Sequence, residues 1–540
     1  MLKRFAVAIS IACLLSPAPF VAQSPASTNF NGQTWWDYVK VLASDDMEGR
    51  ETGSAGLVKA SAYVVDQLKK SGLEPAGMNG FYQPVQIVSR QIDESGSSLA
   101  LVSAGKSQPL VLGEDAMFST RANLAPSVDA PLVFVGYGLK VPERNYDNFA
   151  GLNLKNKVLV FLSGSPAGMP TALASHYQST GERARTLREV GAVGYISIPN
   201  PASMDIPWSR MTLARARPGM TLTDPSLDDT KDVRLAVTFN PAHAEKLFTG
   251  SGHTFAEIAA LGKDRGDLPH FPLALGLQAK AKLIVKKIES SNIVARLPGS
   301  DPTLKEQYVV LSAHLDHLGI GEPINGDRIY NGAMDNASGS AMLLDLAAAM
   351  HASQVKPERS LLFLFVTAEE KGLLGSKYFA AHPTVPKSSI IADLNTDMFL
   401  PIIPLKILTV QGLSESDLGD DAREVATQLG VVVQPDPEPL RNAFVRSDQY
   451  SFIRQGIPSL SMSVGSVKGS PEAAQQKQWL TERYHAPSDD TNQPVDLAAA
   501  GKYEDVMAAL AMKVADAAQV PQWKSESFFR RFLPQASAGH

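Results

Sequence analysis

Histidine and carboxylate residues of the kind that bind metal ions stand in small groups in the second half of the chain. They are an H-x-D pair, an acidic pair, two single aspartates and a late histidine: His314 and Asp316, Glu369 and Glu370, Asp335, Asp397, and His485. Imidazole and carboxylate donors suit zinc, or less specifically cobalt or manganese. Because unpaired carboxylates near a core are costly, this recurrence predicts a metal site.

Near-continuous apolar runs precede three of these groups. YVVLSA leads to His314, LLFLFVTA to Glu369, and IIADLNT to Asp397, with helical stretches such as ASGSAMLLDLAAAMHAS between them. Such strands alternating with helices predict a sheet buried on both faces and mostly parallel. In these sheets the chemistry lies beyond the carboxyl ends of the strands. The predicted fold class is therefore α/β, a doubly wound, mostly parallel sheet flanked by helices, with the site on one rim.

Other histidines in this half lack such a pattern. His317, His351 and His382 fit no common geometry with one another and are predicted to be structural.

A region of different texture lies between residues 125 and 286. Its predicted apolar strands are short and separated by Gly and Pro: PLVFVGYGL, KVLVFLSG, GAVGYISIP and VRLAVTF. Among the first three of these strands, one clear helix is predicted, ERARTLREVGA. We predict an inserted, smaller αβ sandwich domain; the alternative is one continuous large sheet. Residues 27–124 and 287–522 then form the main domain. The tail, residues 523–540, is predicted to be a disordered end or a surface helix, with disorder favoured.

The composition and the N-terminal residues restrict the possible binding partners and the cellular location of the protein. Of 540 residues 44% are apolar, and 50 Lys and Arg against 55 Asp and Glu give a net charge of −5. No basic field is available for nucleic acid or an anionic membrane. Residues 1–26 have the basic, apolar and small-residue order of a signal peptide, so we predict a periplasmic or secreted protein that is free of the membrane after its removal. The only cysteine, Cys13, lies in this segment, which leaves nitrogen and oxygen ligands for a metal.

Five motifs, in order and spacing, resemble a known family. They are HLDH, GAMDNASG, AEEKGLLGS, NTDM and YHAPSD, which begin at His314, Gly332, Ala368, Asn395 and Tyr484. The family is the zinc aminopeptidase and glutamate carboxypeptidase superfamily, exported metallopeptidases with two co-catalytic zinc ions. The resemblance covers nearly all of the mature chain. MEGRETGSAG is similar to the family's opening, and residues 125–286 resemble its protease-associated domain.

The resemblance implies a role for each site residue. Asp335 would bridge two Zn²⁺ ions, with His314 and Asp397 completing one site and Glu370 and His485 the other. Other divalent ions would also fit these ligands. The resemblance also implies a cis peptide bond between Asp335 and Asn336.

Three further residues would assist the chemistry. Glu369 would be the general base, Asp316 would orient His314 through its carboxylate, and Tyr484 would donate a hydrogen bond to the oxyanion. A hydroxide shared by the two metals would attack the scissile carbonyl while Glu369 moves the proton.

The implied function is a zinc aminopeptidase that hydrolyses N-terminal residues from peptide substrates. A carboxypeptidase of the glutamate-releasing type remains an alternative, for which Arg328, Arg441 and Arg446 are candidates to bind a terminal carboxylate. A receptor-like binding protein without metals and a single-zinc glutaminyl cyclase are further alternatives. The number of metal ions per chain would distinguish these last two from the di-zinc enzyme. Oligomeric state is not predicted.

Overall fold

The computed structural model describes residues 30–204, 206–354, 356–438 and 441–534. The predicted signal peptide, residues 1–26, lies outside them. Within these ranges no helix has the length and apolar character needed to cross a membrane.

The strands have the following bounds: β1 Glu74–Pro75, β2 Tyr82–Ile92, β3 Ser98–Ser103, β4 Lys106–Leu110, β5 Ala116–Phe118, β6 Ser127–Val135, β7 Lys140–Val141, β8 Tyr146–Asp147, β9 Val158–Leu162, β10 Gly194–Ile198, β11 Gly219–Leu222, β12 Leu235–Phe239, β13 His270–Lys280, β14 Leu283–Leu297, β15 Tyr308–His314, β16 Gly319–Ile324, β17 Asp327–Tyr330, β18 Ser360–Val366, β19 Ile390–Asn395, β20 Ile407–Gln411, β21 Val432–Gln434 and β22 Ser459–Gly465. The α-helices have these bounds: α1 Gln33–Leu42, α2 Ala55–Lys70, α3 Thr171–Gln178, α4 Thr180–Val190, α5 Trp208–Met211, α6 Glu245–Phe248, α7 Phe255–Lys263, α8 Ser338–Ser353, α9 Leu374–Ala381, α10 Asp417–Gln428, α11 Gln449–Ile453, α12 Pro471–Glu482 and α13 Leu497–Ala515.

The larger sheet is mixed and has the order β11-β2-β14-β18-β15-β19-β22-β20-β21, with β1 beside β14. Its centre, β18, β15, β19 and β22, is parallel. Strands β11, β2 and β14 on one side are antiparallel, as is β20 against β22 on the other. The predicted α/β class is confirmed, and its parallel strands form the middle of the sheet and the β20–β21 edge pair.

Successive side chains of the central strands enter two different cores. Val309 and Leu311 pack in the core that contains residues of α1, α8 and α13, whereas Val310 packs with Phe379 of α9 and Phe452 of α11. Alternate residues of a strand point to opposite faces, so a run of apolar residues becomes a strand buried on both faces. This explains why β15, β18 and β19 are buried along their whole length.

A second sheet has the order β4-β3-β13-β6-β9-β10-β12-β5 and its own core. It contains the four strands predicted between residues 125 and 286, and the two sheets are separate. The strands of this sheet span residues 98 to 280, while β11 leaves it and pairs with β2 of the larger sheet. The domain limits at 125 and 286, and the protease-associated type, stay predictions.

The described part of the tail, residues 523–534, is ordered, which corrects the expectation of a disordered end. Trp523 and Phe529 are buried, and residues Phe528–Phe532 form a single 3-10 helical turn. The Trp523 indole donates to the Gly456 carbonyl at 2.9 Å. Trp523 and Phe529 share a small core with Phe444, Val445, Tyr450 and Ile453, which holds this segment against the rest of the protein.

Candidate metal centre

Three of the predicted groups lie at one rim because their strands are parallel neighbours. His314 is the last residue of β15, and β18 and β19 pair with β15 on either side. Glu369 and Glu370 follow the end of β18, and Asp397 follows the end of β19. Asp335 comes from the turn before α8, and His485 from the loop after α12.

Asp335 directs its two carboxylate oxygens to two different sets of side chains. Its Oδ1 lies 3.3 Å from His314 Nε2, which is also 3.3 Å from Asp397 Oδ1. We call His314, Asp335 and Asp397 the first pole. One ligand atom from each of these three residues lies within 4.8 Å of the others.

The other oxygen of Asp335 faces a second group of donors. Its Oδ2 lies 3.3 Å from His485 Nε2, which is 3.4 Å from Glu370 Oε2. His317 Nδ1 is 2.7 Å from Glu370 Oε1 and 3.9 Å from Asp335 Oδ2. We call Asp335, Glu370, His485 and His317 the second pole.

These separations fit donors arranged around a cation. Donors about 2.1 Å from one zinc ion lie about 3.4 Å apart in a tetrahedron, and four of the pole distances are 3.3 or 3.4 Å. Glu370 Oε1 is buried without a hydrogen-bond partner among the described residues. An unpaired buried carboxylate oxygen is costly, so a bound cation would remove this penalty. The residues present therefore fit two zinc ions.

The charges around the two poles also favour a bound cation. Burial alone would lower the pKa of His314, but the charges of Asp397 and Glu369 outweigh it and raise that pKa well above its ordinary value. Burial would raise the pKa of Asp335, yet the facing histidines hold it well below its usual range. Negative charge thus predominates and draws positive charge to the rim. A divalent cation supplies that charge directly and leaves the histidines neutral as ligands.

Asp316 holds the site in a different way from the prediction. His314 Nδ1 lies 3.0 Å from the main-chain carbonyl of Asp316, not from its carboxylate. The carboxylate oxygens are taken by other donors, the Thr52 hydroxyl at 2.9 Å and the Glu369 main-chain N–H at 3.0 Å. The predicted carboxylate contact is therefore corrected: the carbonyl orients the imidazole, and the carboxylate fixes the start of the Glu369–Glu370 turn.

Arg50 links the N-terminal segment to the two loops that carry His314 and Asp335. Its buried guanidinium donates to four main-chain carbonyls at 2.6–2.9 Å, those of Leu42, Leu315, Asn331 and Gly332. The carbonyl of Leu315 follows His314, and the carbonyls of Asn331 and Gly332 precede Asp335. The motif MEGRETGSAG therefore positions candidate ligands that lie more than 260 residues away in sequence.

The turn that carries Asp335 is held by a buried acid. Asp489 accepts the main-chain N–H groups of Met334 and Asp335 at 2.9 and 3.0 Å. The peptide bond between Asp335 and Asn336 is cis, as the resemblance implied. Sequence reasoning gave Asp489 no role, although it stands in the YHAPSD motif.

A cavity of about 590 Å³ opens over the two poles. Glu369 and Tyr484 line it together with apolar side chains that include Met398, Leu400 and Met462. The Tyr484 ring lies against the His485 ring with centroids 3.9 Å apart, and burial raises the pKa of its hydroxyl. Tyr484 therefore keeps its proton and remains a hydrogen-bond donor.

The three arginine candidates separate in the structure. Arg441 and Arg446 lie in the wall of the cavity. Arg328 lies on β17, where it is exposed and donates to the Gly321 carbonyl at 3.1 Å.

His317 lies at the candidate site, where the sequence did not lead us to expect it. It was predicted to be structural, but it lies with Asp335 and Glu370 in one group whose ligand atoms are within 4.8 Å of one another. The second histidine of the HLDH motif was the available signal. His351 and His382 lie away from both poles, and each is exposed.

Comparisons with known proteins agree with this geometry. Residues 292–511 match Peptidase family M28. A probable leucine aminopeptidase 2 of Aspergillus oryzae is 31% identical over 180 residues, which cover 32% of this chain and 34% of that protein. Carboxypeptidase Q of Rattus norvegicus is 26% identical over 210 residues, 38% of this chain and 39% of that protein. The chain thus matches well under two thirds of the length of either relative.

A solved structure shares the fold over almost the whole chain. The aminopeptidase from Aneurinibacillus sp. strain AM-1 superposes with a TM-score of 0.55 at 19% identity, covering 92% of this chain and 96% of that one. Residues 292–511 are therefore similar to peptidase family M28, and the structural likeness shows that the fold is shared over almost the whole chain.

Proposed function

We propose that this protein is an exported di-zinc peptidase that removes N-terminal residues from peptides. The observation that carries the proposal is the placing of Asp335, with one carboxylate oxygen 3.3 Å from His314 and the other 3.3 Å from His485. A carboxylate that faces two donor sets is suited to bridge two cations. The signal-peptide pattern of residues 1–26 supports a periplasmic or secreted location.

The residues around the poles have different roles in the proposed peptide hydrolysis. Two zinc ions held by them would polarise the scissile carbonyl and lower the pKa of a water molecule. Glu369, at the wall of the cavity and outside both poles, accepts the proton of that water and returns it to the leaving amine. The Asp316 carboxylate fixes the Glu369 main chain at 3.0 Å, so the base is held in place.

Tyr484 is our candidate for stabilising the oxyanion. Its ring is held against His485, and its hydroxyl retains its proton at neutral pH because burial raises its pKa. A neutral donor placed beside developing negative charge lowers the barrier of acyl transfer. The apolar part of the cavity wall, with Met398, Leu400 and Met462, supports an apolar side chain on the residue to be released.

A carboxypeptidase is the second candidate function. Arg441 and Arg446 lie in the same cavity wall, and guanidinium groups bind terminal carboxylates well. The similarity to the rat protein named carboxypeptidase Q favours the same alternative. The two poles would suit an aminopeptidase and a carboxypeptidase equally. The two functions are therefore distinguished by which terminus of the substrate must be free.

A panel of substrates with free and blocked ends tests the proposal. Zinc-loaded protein is assayed with leucine p-nitroanilide, its N-acetyl derivative, and a leucine-initiated peptide with a free or amidated C-terminus. We expect hydrolysis only where the amino terminus is free, no effect of C-terminal amidation, loss of activity with a chelator and recovery with added zinc.

Other results would select the alternatives. Cleavage that survives N-acetylation but requires a free C-terminus would establish the carboxypeptidase. One zinc per chain with no peptidase activity would favour the glutaminyl cyclase, and a chain that binds no zinc would favour the receptor-like protein. We expect two zinc ions per chain by mass spectrometry of the metal content.

A further inference from the structure

His317 is a buried histidine of the second pole to which the proposed reaction gives no function. Its side chain is 0% exposed, and Nδ1 lies 2.7 Å from Glu370 Oε1. Neither of its ring nitrogens has a hydrogen-bond partner among the described residues, and the same holds for Glu370 Oε1. Buried polar atoms are normally satisfied, and His317 Nδ1 and Glu370 Oε1 lie close enough together to be satisfied by one bound cation.

The short distance between His317 and Glu370 does not come from an aligned hydrogen bond. A ring N–H that donates at this distance should point at its acceptor, which this one does not. Two donor atoms that bind the same cation side by side can lie this close together. With bonds of about 2.1 Å, donor separations range from about 2.7 to about 4.2 Å as the bond angle widens. The 3.9 Å between His317 Nδ1 and Asp335 Oδ2 also falls in this range.

The surrounding backbone is shaped to hold the imidazole. The His317 main-chain N–H donates to the Arg50 carbonyl at 3.0 Å. The ring lies against Gly332, where a Cβ atom would come within 2.5 Å of His317 Cγ and Cδ2. Gly332 has a φ of +61°, a conformation that favours glycine. The main chain of His317 is thus held by Arg50, and its ring packs against the loop that also carries Asp335.

We propose that His317 Nδ1 is a further ligand of the cation at the second pole. The second pole then holds its ion with two imidazoles and two carboxylates, against one imidazole and two carboxylates at the first pole. This inference rests on the proposed zinc function. It has a consequence for affinity: the second pole binds zinc more tightly than the first, and His317 contributes much of the difference.

Zinc affinity in three variants tests the inference. Binding to the full chain is measured by competition with a chromophoric chelator for His317→Ala, His317→Asn and, as a control, His351→Ala, an exposed residue on α8. We expect His317→Ala to weaken the tighter zinc equivalent about 100-fold or more, the upper end for residues that support metal ligands. His351→Ala should leave both equivalents unchanged.

The asparagine variant distinguishes whether His317 binds the metal or only forms a hydrogen bond. An Asn amide lies close to the position of Nδ1, so it can hydrogen-bond Glu370 but is a poor substitute for imidazole on zinc. We therefore expect His317→Asn to bind zinc as weakly as His317→Ala. In the Co²⁺-loaded protein each variant should also lack one hyperfine-shifted imidazole N–H signal that wild type and His351→Ala retain.

Three results would overturn the inference. Wild-type zinc affinity in His317→Ala, full rescue in His317→Asn, or an unchanged set of shifted signals would each remove His317 from the ligands. These outcomes differ from failure of the proposed function, in which the wild-type chain itself would bind no zinc. If His317→Ala fails to fold, His317→Asn, which keeps a polar side chain of smaller volume, carries the test alone.

Discussion

Glu369 stands next to a pole ligand in the chain but belongs to neither pole. Glu370, one residue later, presents both of its oxygens to the second pole. Burial, with the charges of Asp397 and Asp448, raises the pKa of Glu369 well above its ordinary value, although His314 opposes this. Two adjacent glutamates therefore have separate environments, and a pair of matched substitutions can assign their functions.

We predict that Glu369→Gln keeps two zinc ions but loses turnover. General bases contribute about 10²–10⁴-fold to rate, so kcat should fall by at least about 100-fold with zinc content unchanged. Glu370→Gln is the matched control and should lose zinc from the second pole. Metal analysis beside a rate assay measures both. A Glu369→Gln protein with near-normal kcat would show that another group is the base.

The sequence predicted which residue types meet at the rim, but not how the main chain delivers them. Ala368, Met398 and His485 have φ values of 58°, 47° and 54°, and each is itself a site residue or the neighbour of one. Non-glycine residues seldom adopt this conformation, and where they do they often lie at functional sites. Nothing in these residue types signals it. His317 was missed for a related reason, because its position depends on backbone pairing with Arg50.

At the scale of elements, strands were more predictable than the segments that tie them together. The apolar runs before His314, Glu369 and Asp397 became β15, β18 and β19, as expected. The contribution of residues Arg50 to Thr52 was not predicted, because it depends on contacts distant in sequence. Besides the Arg50 and Thr52 contacts, Glu51 forms an ion pair at 3.0 Å with Lys371, whose side chain is 4% exposed.

We predict that Arg50→Met weakens zinc binding and lowers the melting temperature. Each hydrogen bond to a charged group is worth about 1.5–3 kcal/mol, and four carbonyls would lose their donor. The loop before Asp335 would then be held less firmly. Zinc competition and thermal unfolding measure the two effects, with Arg328→Met as an exposed arginine control.

A conservative substitution makes the same prediction sharper. Arg50→Lys keeps the charge, but a lysine ammonium cannot reproduce the planar fork of a guanidinium. It should therefore also bind zinc more weakly than wild type. If both Arg50 variants melt and bind zinc like Arg328→Met, Arg50 does not position the centre.

At the scale of the whole molecule, the tail connects regions built on the two sheets. Phe528 packs against His176 of α3, and Arg531 forms an ion pair at 2.6 Å with Glu143. Trp523 and Phe529 pack with Phe444, whose neighbours line the cavity. A short sequence rich in Phe and Arg gives no periodic pattern, so its place could not be derived from the sequence.

Two acidic residues are buried where helices α8 and α13 pack against each other. Asp345 is 7% exposed and Glu504 is 0% exposed. Burial and the charge of Asp345 raise the pKa of Glu504 to about 10, and burial raises the pKa of Asp345 to about 6. Glu504 therefore folds as a neutral acid at neutral pH.

This buried acid makes global stability depend on pH in a defined direction. Between its ordinary pKa of 4.5 and the folded value of about 10, the folded chain holds a proton that the unfolded chain has released. Stability must then fall as pH rises through this range, by at most about 1.4 kcal/mol per pH unit for one proton. Glu504→Gln removes the titration, and its amide can donate to Asp345.

We therefore predict that Glu504→Gln is more stable than wild type at pH 8–9 and approaches wild type near pH 4. Chemical unfolding of both proteins across this range measures the difference, in which the titration of groups that do not interact with Glu504 cancels. Glu482→Gln, an exposed glutamate on α12, is the control and should follow wild type throughout. A Glu504→Gln protein whose stability relative to wild type does not rise with pH would mean that Glu504 is charged in the folded chain, and that the contact between α8 and α13 contains a cation or solvent that neutralises it.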